Sequence, residues 1–254
     1  MKQQLNLLFH AFRFYSRIPV GKLEYSEENQ TKAFRYFPVV GIVVGIVGGA
    51  IYVLLLTVFS SSVAVIGSIA SMVFATGALH EDGLSDFFDG FGGGNTKEKV
   101  LDIMKDSTVG VYGVLALIVL FLTKYSLFLS IDEHLLPKVM VAAHASSRFM
   151  PIVMINTSQY ARVGNSKAMH TRNHIDRTTC IVALLFASFP LVFLSWQTTI
   201  CVVAIYFLLY SFLKRYVEKR IGGFTGDVLG ALQQFCEVGF YFVYAALSCQ
   251  TYPS

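Results

Sequence analysis

Of the 16 acidic residues in this chain, seven fall within the 26 residues of segment 81–106. Its first part reads Leu79-His80-Glu81-Asp82-Gly83-Leu84-Ser85-Asp86-Phe87-Phe88-Asp89-Gly90, followed by Phe91 and Gly92 to Gly94. On a helix, Asp82, Asp86 and Asp89 stand at i, i+4 and i+7 and share one face, with His80 and Glu81 beside them. Three carboxylates stacked in this way repel one another unless a cation neutralises them. Asp102 and Asp106 repeat the i, i+4 spacing and lead on through Lys105-Asp106-Ser107. Oxygen donors from two helix ends suit Mg²⁺ or Mn²⁺, hard ions that take carboxylates together with phosphate oxygens. The glycines between the two sets allow a tight reversal and bring backbone N–H groups within reach of a phosphate. An acidic run is ordinarily a solvated face. Here Phe87, Phe88 and Phe91 alternate with the acids, so one face is apolar and the other carries the carboxylates, which favours a metal site.

The elements that must position these groups are set by composition. The chain has 254 residues, 54% hydrophobic and 14% charged, against roughly 25% charged in an average soluble domain. With a mean hydropathy of +0.58, the apolar surplus must face lipid. A spanning helix needs about 20 mostly apolar residues, and seven such segments occur, at 38–59, 61–79, 109–131, 135–155, 178–196, 198–213 and 226–249. The expected architecture is therefore an all-α, polytopic integral membrane protein forming a single domain over 1–254. In the first span Gly41, Gly45, Gly48 and Gly49 recur at a small-xxx-small spacing that permits close helix contact. The pair 178–196 and 198–213 reads as a short hairpin. The N-terminal stretch 5–20 mixes Leu, Phe and Tyr with His10, Arg13 and Arg17, the composition of an amphipathic helix lying in the interface. The cysteines Cys180, Cys201, Cys236 and Cys249 are widely spaced and read as buried small hydrophobes, neither zinc ligands nor a disulfide framework.

Lys and Arg orient the spans, because short cytoplasmic loops carry the excess. With the N-terminus inside, segments 1–37, 80–108, 156–177 and 214–225 hold 6, 3, 4 and 4 basic residues, 17 of the 20. The C-terminus then lies outside and every sizeable polar loop faces the cytoplasm, as an enzyme using cytosolic substrates requires. A net charge of +4 without a clustered basic face excludes a nucleic-acid partner. Arg148 falls inside the fourth span, where a charge is costly and pairs or faces a cavity, and Glu237, deep in the last span, is its expected partner. Asp227 is either a helix-start acid or part of a site. Lys105 is either a phosphate contact or a solvated lysine, and Arg17 either an interfacial anchor or a nucleotide contact. His170 and His174 at i, i+4 lack a third ligand and read as incidental.

Several segments, in order, resemble the adenosylcobinamide-GDP ribazoletransferase family, also called cobalamin (5′-phosphate) synthase. They are Phe14-Tyr15-Ser16-Arg17-Ile18-Pro19-Val20, Phe37-Pro38-Val39-Val40-Gly41, the block from His80 to Gly94, Ile103-Met104-Lys105-Asp106-Ser107-Thr108-Val109-Gly110, Ser147-Arg148-Phe149, and Gly223-Phe224-Thr225-Gly226-Asp227-Val228-Leu229-Gly230 with Glu237 beyond. Two positions depart from the family form: Thr108 stands where Arg is common, and Phe87-Phe88 replaces a small polar pair.

The resemblance implies that a hydroxyl of α-ribazole, or of its 5′-phosphate, attacks the phosphate on the cobinamide arm of adenosylcobinamide-GDP, releasing GMP. It also implies a bacterial cytoplasmic (inner) membrane location with the site facing the cytoplasm, and leaves homo-oligomer formation open. Phosphoryl transfer needs positioning and charge neutralisation. On that basis Asp82, Asp86, Asp89 and Asp106 are the expected Mg²⁺ ligands, with Glu81 as a fifth. One of the carboxylates, or His80, takes the proton. Lys105, Ser107, Arg148, Asp227, Glu237 and Arg17 are the expected substrate contacts. The competing readings are another membrane phosphotransferase of the CDP-alcohol type, and a cation-dependent transporter with Arg148 and Glu237 lining its pathway.

Overall fold

The computed structural model describes residues 2–21, 26–162 and 174–251, and among them every long element is a helix. Helix α1 (Lys2–Tyr15) is amphipathic as expected, burying Leu7, Ala11 and Tyr15 while Leu5, Arg13 and Phe14 stay exposed. A short α2 (Glu27–Ala33), capped by Ser26 Oγ accepting from Asn29 N–H, and one 3₁₀ turn (Phe34–Tyr36) lead into α3 (Phe37–Leu56). Pro38 sits at the start of α3, where its missing N–H costs nothing.

Helix α3 packs most extensively against α8 (Leu136–Ser147) and α4 (Ser61–Thr76). The glycine stripe is what lets the backbones meet. A Cβ on Gly45 would lie 2.6 Å from Val141 Cα and one on Gly49 2.8 Å from Pro137 Cβ, while one on Gly41 would strike the His144 carbonyl. Gly48 faces the other way, onto Met72 of α4. The small-xxx-small expectation therefore describes a two-sided interface.

Between α4 and α5 (Leu79–Gly93) the chain turns by 88°. Gly77 and Ala78 are both left-handed, with φ of 66° and 58°, and the non-glycine Ala78 costs about 1–2 kcal/mol there. Arg17 covers this corner: its N–H donates to the Ala75 carbonyl at 2.8 Å, and its side chain lies so close that a Cβ on Gly77 would collide with it. The turn swings α5 out of line with the second span and lays it against α12 (Gly226–Thr251) and α7 (Val111–Leu129).

After α6 (Lys97–Ile103), α7 and α8, the fourth expected span divides. Helix α8 stops at Ser147 and α9 (Met150–Thr157) starts with Pro151 in its first turn. The expected hairpin is asymmetric. Helix α10 (Arg177–Ser188) is only 12 residues and continues as a 3₁₀ turn to Phe193, whereas α11 (Trp196–Ile221) runs 26 residues. Hydropathy ends near Leu213, but Lys214, Arg215, Glu218, Lys219 and Arg220 are sound helix formers and carry the helix on to its Gly222 cap. Among the described residues three helices are long and apolar enough to cross a membrane, or four if the bent pair α4–α5 is one span. The chain is thus a helical membrane protein, and its helices do not give the count of seven by length and composition alone. Of the described cysteines, Cys236 is buried and Cys201 is exposed. His170 lies outside the described residues.

Candidate active site

Helices α5 and α12 cross at two glycines. A Cβ on Gly83 would sit 3.3 Å from Gly230 Cα and 3.1 Å from the Asp227 carbonyl, so this pair lets the acidic face of α5 lie close against the start of α12. Asp82 is exposed, Asp86 half-buried and Asp89 buried along that helix. Burial, together with the carboxylates of Asp82, Asp227 and Asp89, pushes the Asp86 carboxyl up to about 7, with Arg162 offsetting part of the rise. Helix α5 is turned away from the second span, so these carboxylates gather at its boundary. Arg162 Nη2 donates to Asp227 Oδ2 at 2.8 Å, and Thr225 Oγ1 donates to the same oxygen at 3.1 Å. Asp227 is thus one of three carboxylates acting on Asp86, and it lies more than a hundred residues away in sequence.

Asp89 serves a different purpose as well. Its Oδ2 accepts from Gly110 N–H at 2.8 Å and its Oδ1 from Gly113 N–H at 2.9 Å, satisfying orphan donors at the start of α7. Asp106, expected beside it, is exposed on the link between α6 and α7. Its Oδ1 accepts from Thr108 N–H at 3.0 Å, a bond that lowers its pKa. Local Asx geometry holds it where it is. Lys105 and Ser107 share that exposed link.

Glu81 points to the bundle interior instead of the carboxylate rim, and His80 is buried beside it. Glu81 Oε1 accepts from Gln234 Nε2 at 3.0 Å, and Gln234 Nε2 also donates to Gln233 Oε1 at 2.9 Å. Gln233 Nε2 donates to Glu237 Oε2 at 2.7 Å and to Ser147 Oγ at 3.0 Å. Arg148 and Glu237, expected as substrate contacts and as each other's partner, are 1% and 0% exposed. The direct partner of Glu237 is Lys124 of α7, whose Nζ lies 2.6 Å from Oε1. Arg148 Nη1 donates to the His144 carbonyl at 2.8 Å, and its guanidinium lies over the Phe37 ring, 5.8 Å from the centroid. Packing thus closes both charges off within the bundle. Lys124 gives no signal in the sequence, since one lysine hardly dents the hydropathy of the third span. Arg162 carried no spacing signal at all.

Beside the carboxylates is a cleft of about 290 Å³ between α1, α3, α5 and α12, lined by Tyr15, Phe37, His80, Asp82, Gly226 and Asp227 among others. Arg17 is not part of it and belongs to the neighbouring corner, where residues 13 and 16–21 line a separate recess.

Among the described residues no three His, Cys, Asp or Glu side chains already converge as ligands of one ion. Mg²⁺ asks for less than that, since it keeps several waters and is typically held by one or two carboxylates plus substrate phosphates. Crowded oxygen donors with a single guanidinium among them fit such an ion.

Residues 7–245 match the family model described as cobalamin-5-phosphate synthase. An adenosylcobinamide-GDP ribazoletransferase of Vibrio cholerae serotype O1 is 37% identical over 249 residues, covering 97% of this chain and 95% of that protein. One from Shewanella amazonensis is 37% identical over 257 residues, covering 98% of each, and one from Ralstonia nicotianae 37% over 243 residues, covering 94% of each. No solved structure matches. With the match running from α1 to α12 and taking in both the α5 carboxylates and Asp227, the chain belongs to the cobalamin-5-phosphate synthase family.

Proposed function

We propose that this chain carries out the transfer for which its relatives are named, joining α-ribazole, or its 5′-phosphate, to the cobinamide arm of adenosylcobinamide-GDP. A riboside hydroxyl oxygen forms a new P–O bond to the phosphate on that arm, and the bond to the departing GMP breaks. The hydroxyl proton passes to a base. The products are adenosylcobalamin, or its 5′-phosphate, and GMP. The observation that carries this reading is that Asp82 and Asp227 line an aromatic cleft and that both act electrostatically on the half-buried Asp86.

Asp86 and Asp227 are the carboxylates we assign to Mg²⁺, with Asp82 at the rim and Asp89 holding α7 against them. Bound there, the ion would neutralise pyrophosphate oxygens as charge shifts to the leaving GMP. Asp82 has no hydrogen-bond partner for its carboxylate among the described residues and lines the cleft, so it is well placed to accept the hydroxyl proton. Arg162 holds the Asp227 carboxylate in place. The distribution of Lys and Arg supports a cytoplasmic-membrane protein with this site on the cytoplasmic side and up to seven crossings. The transport reading loses its support, because Arg148 and Glu237 are enclosed by packing instead of lining a passage.

The test is GMP release from adenosylcobinamide-GDP by the protein in lipid nanodiscs, with α-ribazole present, in Mg²⁺ and after chelation. Turnover that chelation abolishes and Mg²⁺ restores is expected. Absence of GMP release under all conditions would overturn the assignment.

A further inference from the structure

The cleft beside the carboxylates has walls of a particular kind. Tyr15 of α1 stacks on Phe37 of α3, with ring centroids 4.1 Å apart and planes 27° apart, and His80 of α5 lies on the same Phe37, 5.8 Å away and 20° from parallel. Three helices thus contribute a column of flat rings to one cavity. His80 is 3% exposed and neither ring nitrogen has a hydrogen-bond partner. A buried polar group left this way is in want of an atom from elsewhere. Phe14, Phe34 and Leu229 add further apolar surface, and the polar groups at the opening are Asp82 and Asp227.

We propose that this cleft is the seat of the acceptor base: the benzimidazole of α-ribazole enters among Tyr15, Phe37 and His80, and its ribose is left at the opening, toward Asp82 and Asp227. The assignment rests on the transferase reading and adds to it which substrate the cleft takes. Size limits the choice, since about 290 Å³ holds one nucleoside and not a corrin ring. Chemistry narrows it further. A dimethylbenzimidazole is a flat apolar ring with one unsubstituted ring nitrogen, an acceptor for one imidazole N–H. Guanine carries donors and acceptors around its edge, and among the rings, where His80 is the polar side chain, most of them would be left unpaired, at a cost for each. With the base inside, the sugar hydroxyls point to the carboxylates, where the phosphate under attack must lie.

Gly226 offers a way to close the cleft without straining the fold. It lines the cavity, and a Cβ placed on it meets no atom within 4 Å. The experiment measures steady-state constants for each substrate separately, on nanodisc-embedded wild type, Gly226→Leu, Phe37→Leu and His80→Leu. Removing a ring from the stack, or filling the cleft, is expected to raise the KM for α-ribazole by about tenfold or more, the size of a lost base–aromatic contact. The KM for adenosylcobinamide-GDP should stay within about twofold, well under the tenfold step that 1.4 kcal/mol represents. A rise confined to adenosylcobinamide-GDP would place guanine in the cleft and overturn the proposal, as would an unchanged KM for α-ribazole in Gly226→Leu. Wild-type protein that released no GMP would instead refute the transferase reading, so the two failures are distinguishable. Should Phe37→Leu fail to fold, Gly226→Leu still decides the question.

Discussion

Lys124 Nζ lies 2.6 Å from Glu237 Oε1, tying α7 to α12 across the bundle interior with both side chains almost wholly out of solvent. At that distance the two charges are in direct contact, within hydrogen-bonding range of each other. Removing one member strands the other charge in a low-dielectric setting, which typically costs about 3–5 kcal/mol. Lys124→Met and Glu237→Gln should each lower the melting temperature in detergent, and the double variant should recover part of the loss. Additive single effects would show that the two charges are not coupled.

The carboxylates near Asp86 should separate by role. Asp82→Asn, Asp86→Asn and Asp227→Asn keep side-chain size while removing charge, and each is expected to cut GMP release by about a hundredfold or more, in the range of a lost group acting in the transition state. Asp106→Asn removes an exposed Asx acceptor and should cost much less. If the Asp106 variant were as impaired as the other three, the site would extend onto the α6–α7 link.

Asp86 and Asp227 act on one another although far apart in the chain, and as proposed ligands of one ion their losses should not add. If both hold one Mg²⁺, removing either empties the same site and the double Asn variant should be little worse than the worse single. The Mg²⁺ concentration for half-maximal GMP release should rise in both singles. Defects that multiply would mean independent roles.

Gly113 is held to its identity by Asp89 and Ser85. A Cβ there would run into the Asp89 carboxylate and the Ser85 hydroxyl, and overpacking of this kind typically costs about 1–3 kcal/mol. Gly113→Ala should lower thermal stability and loosen α7 from α5, seen as faster amide exchange at the start of α7. Unchanged exchange there would contradict the capping role of Asp89.

Gly45→Ala tests the α3–α8 contact in the same manner. Its Cβ would meet Val141 backbone atoms at 2.6 and 2.8 Å, and backbone cannot swing aside as a side chain can. Destabilisation of about 1–3 kcal/mol is expected, read as a lower melting temperature. An unchanged value would show that the helices separate freely.

Hydropathy and i, i+4 spacing are local properties of the chain, and for that reason the helical membrane class, the amphipathic α1, the α3 glycine contact and the shared helix of Asp82, Asp86 and Asp89 are legible in the residues alone. The sequence did not determine where helices bend or stop. The 88° turn at Gly77 and Ala78 is a tertiary decision, since left-handed Ala78 is tolerated only where surrounding packing, with Arg17 over Gly77, fixes the corner. Nor did the sequence choose partners. Asp227 comes to act on Asp86 from far along the chain, because the Gly83–Gly230 crossing brings α12 onto α5. Glu237 is paired by Lys124 and not by Arg148, since pairing in a bundle depends on which helix faces which at a given depth. The aromatic column of Tyr15, Phe37 and His80 had no pattern to betray it. Its rings come from three helices, and only their packing makes them one surface.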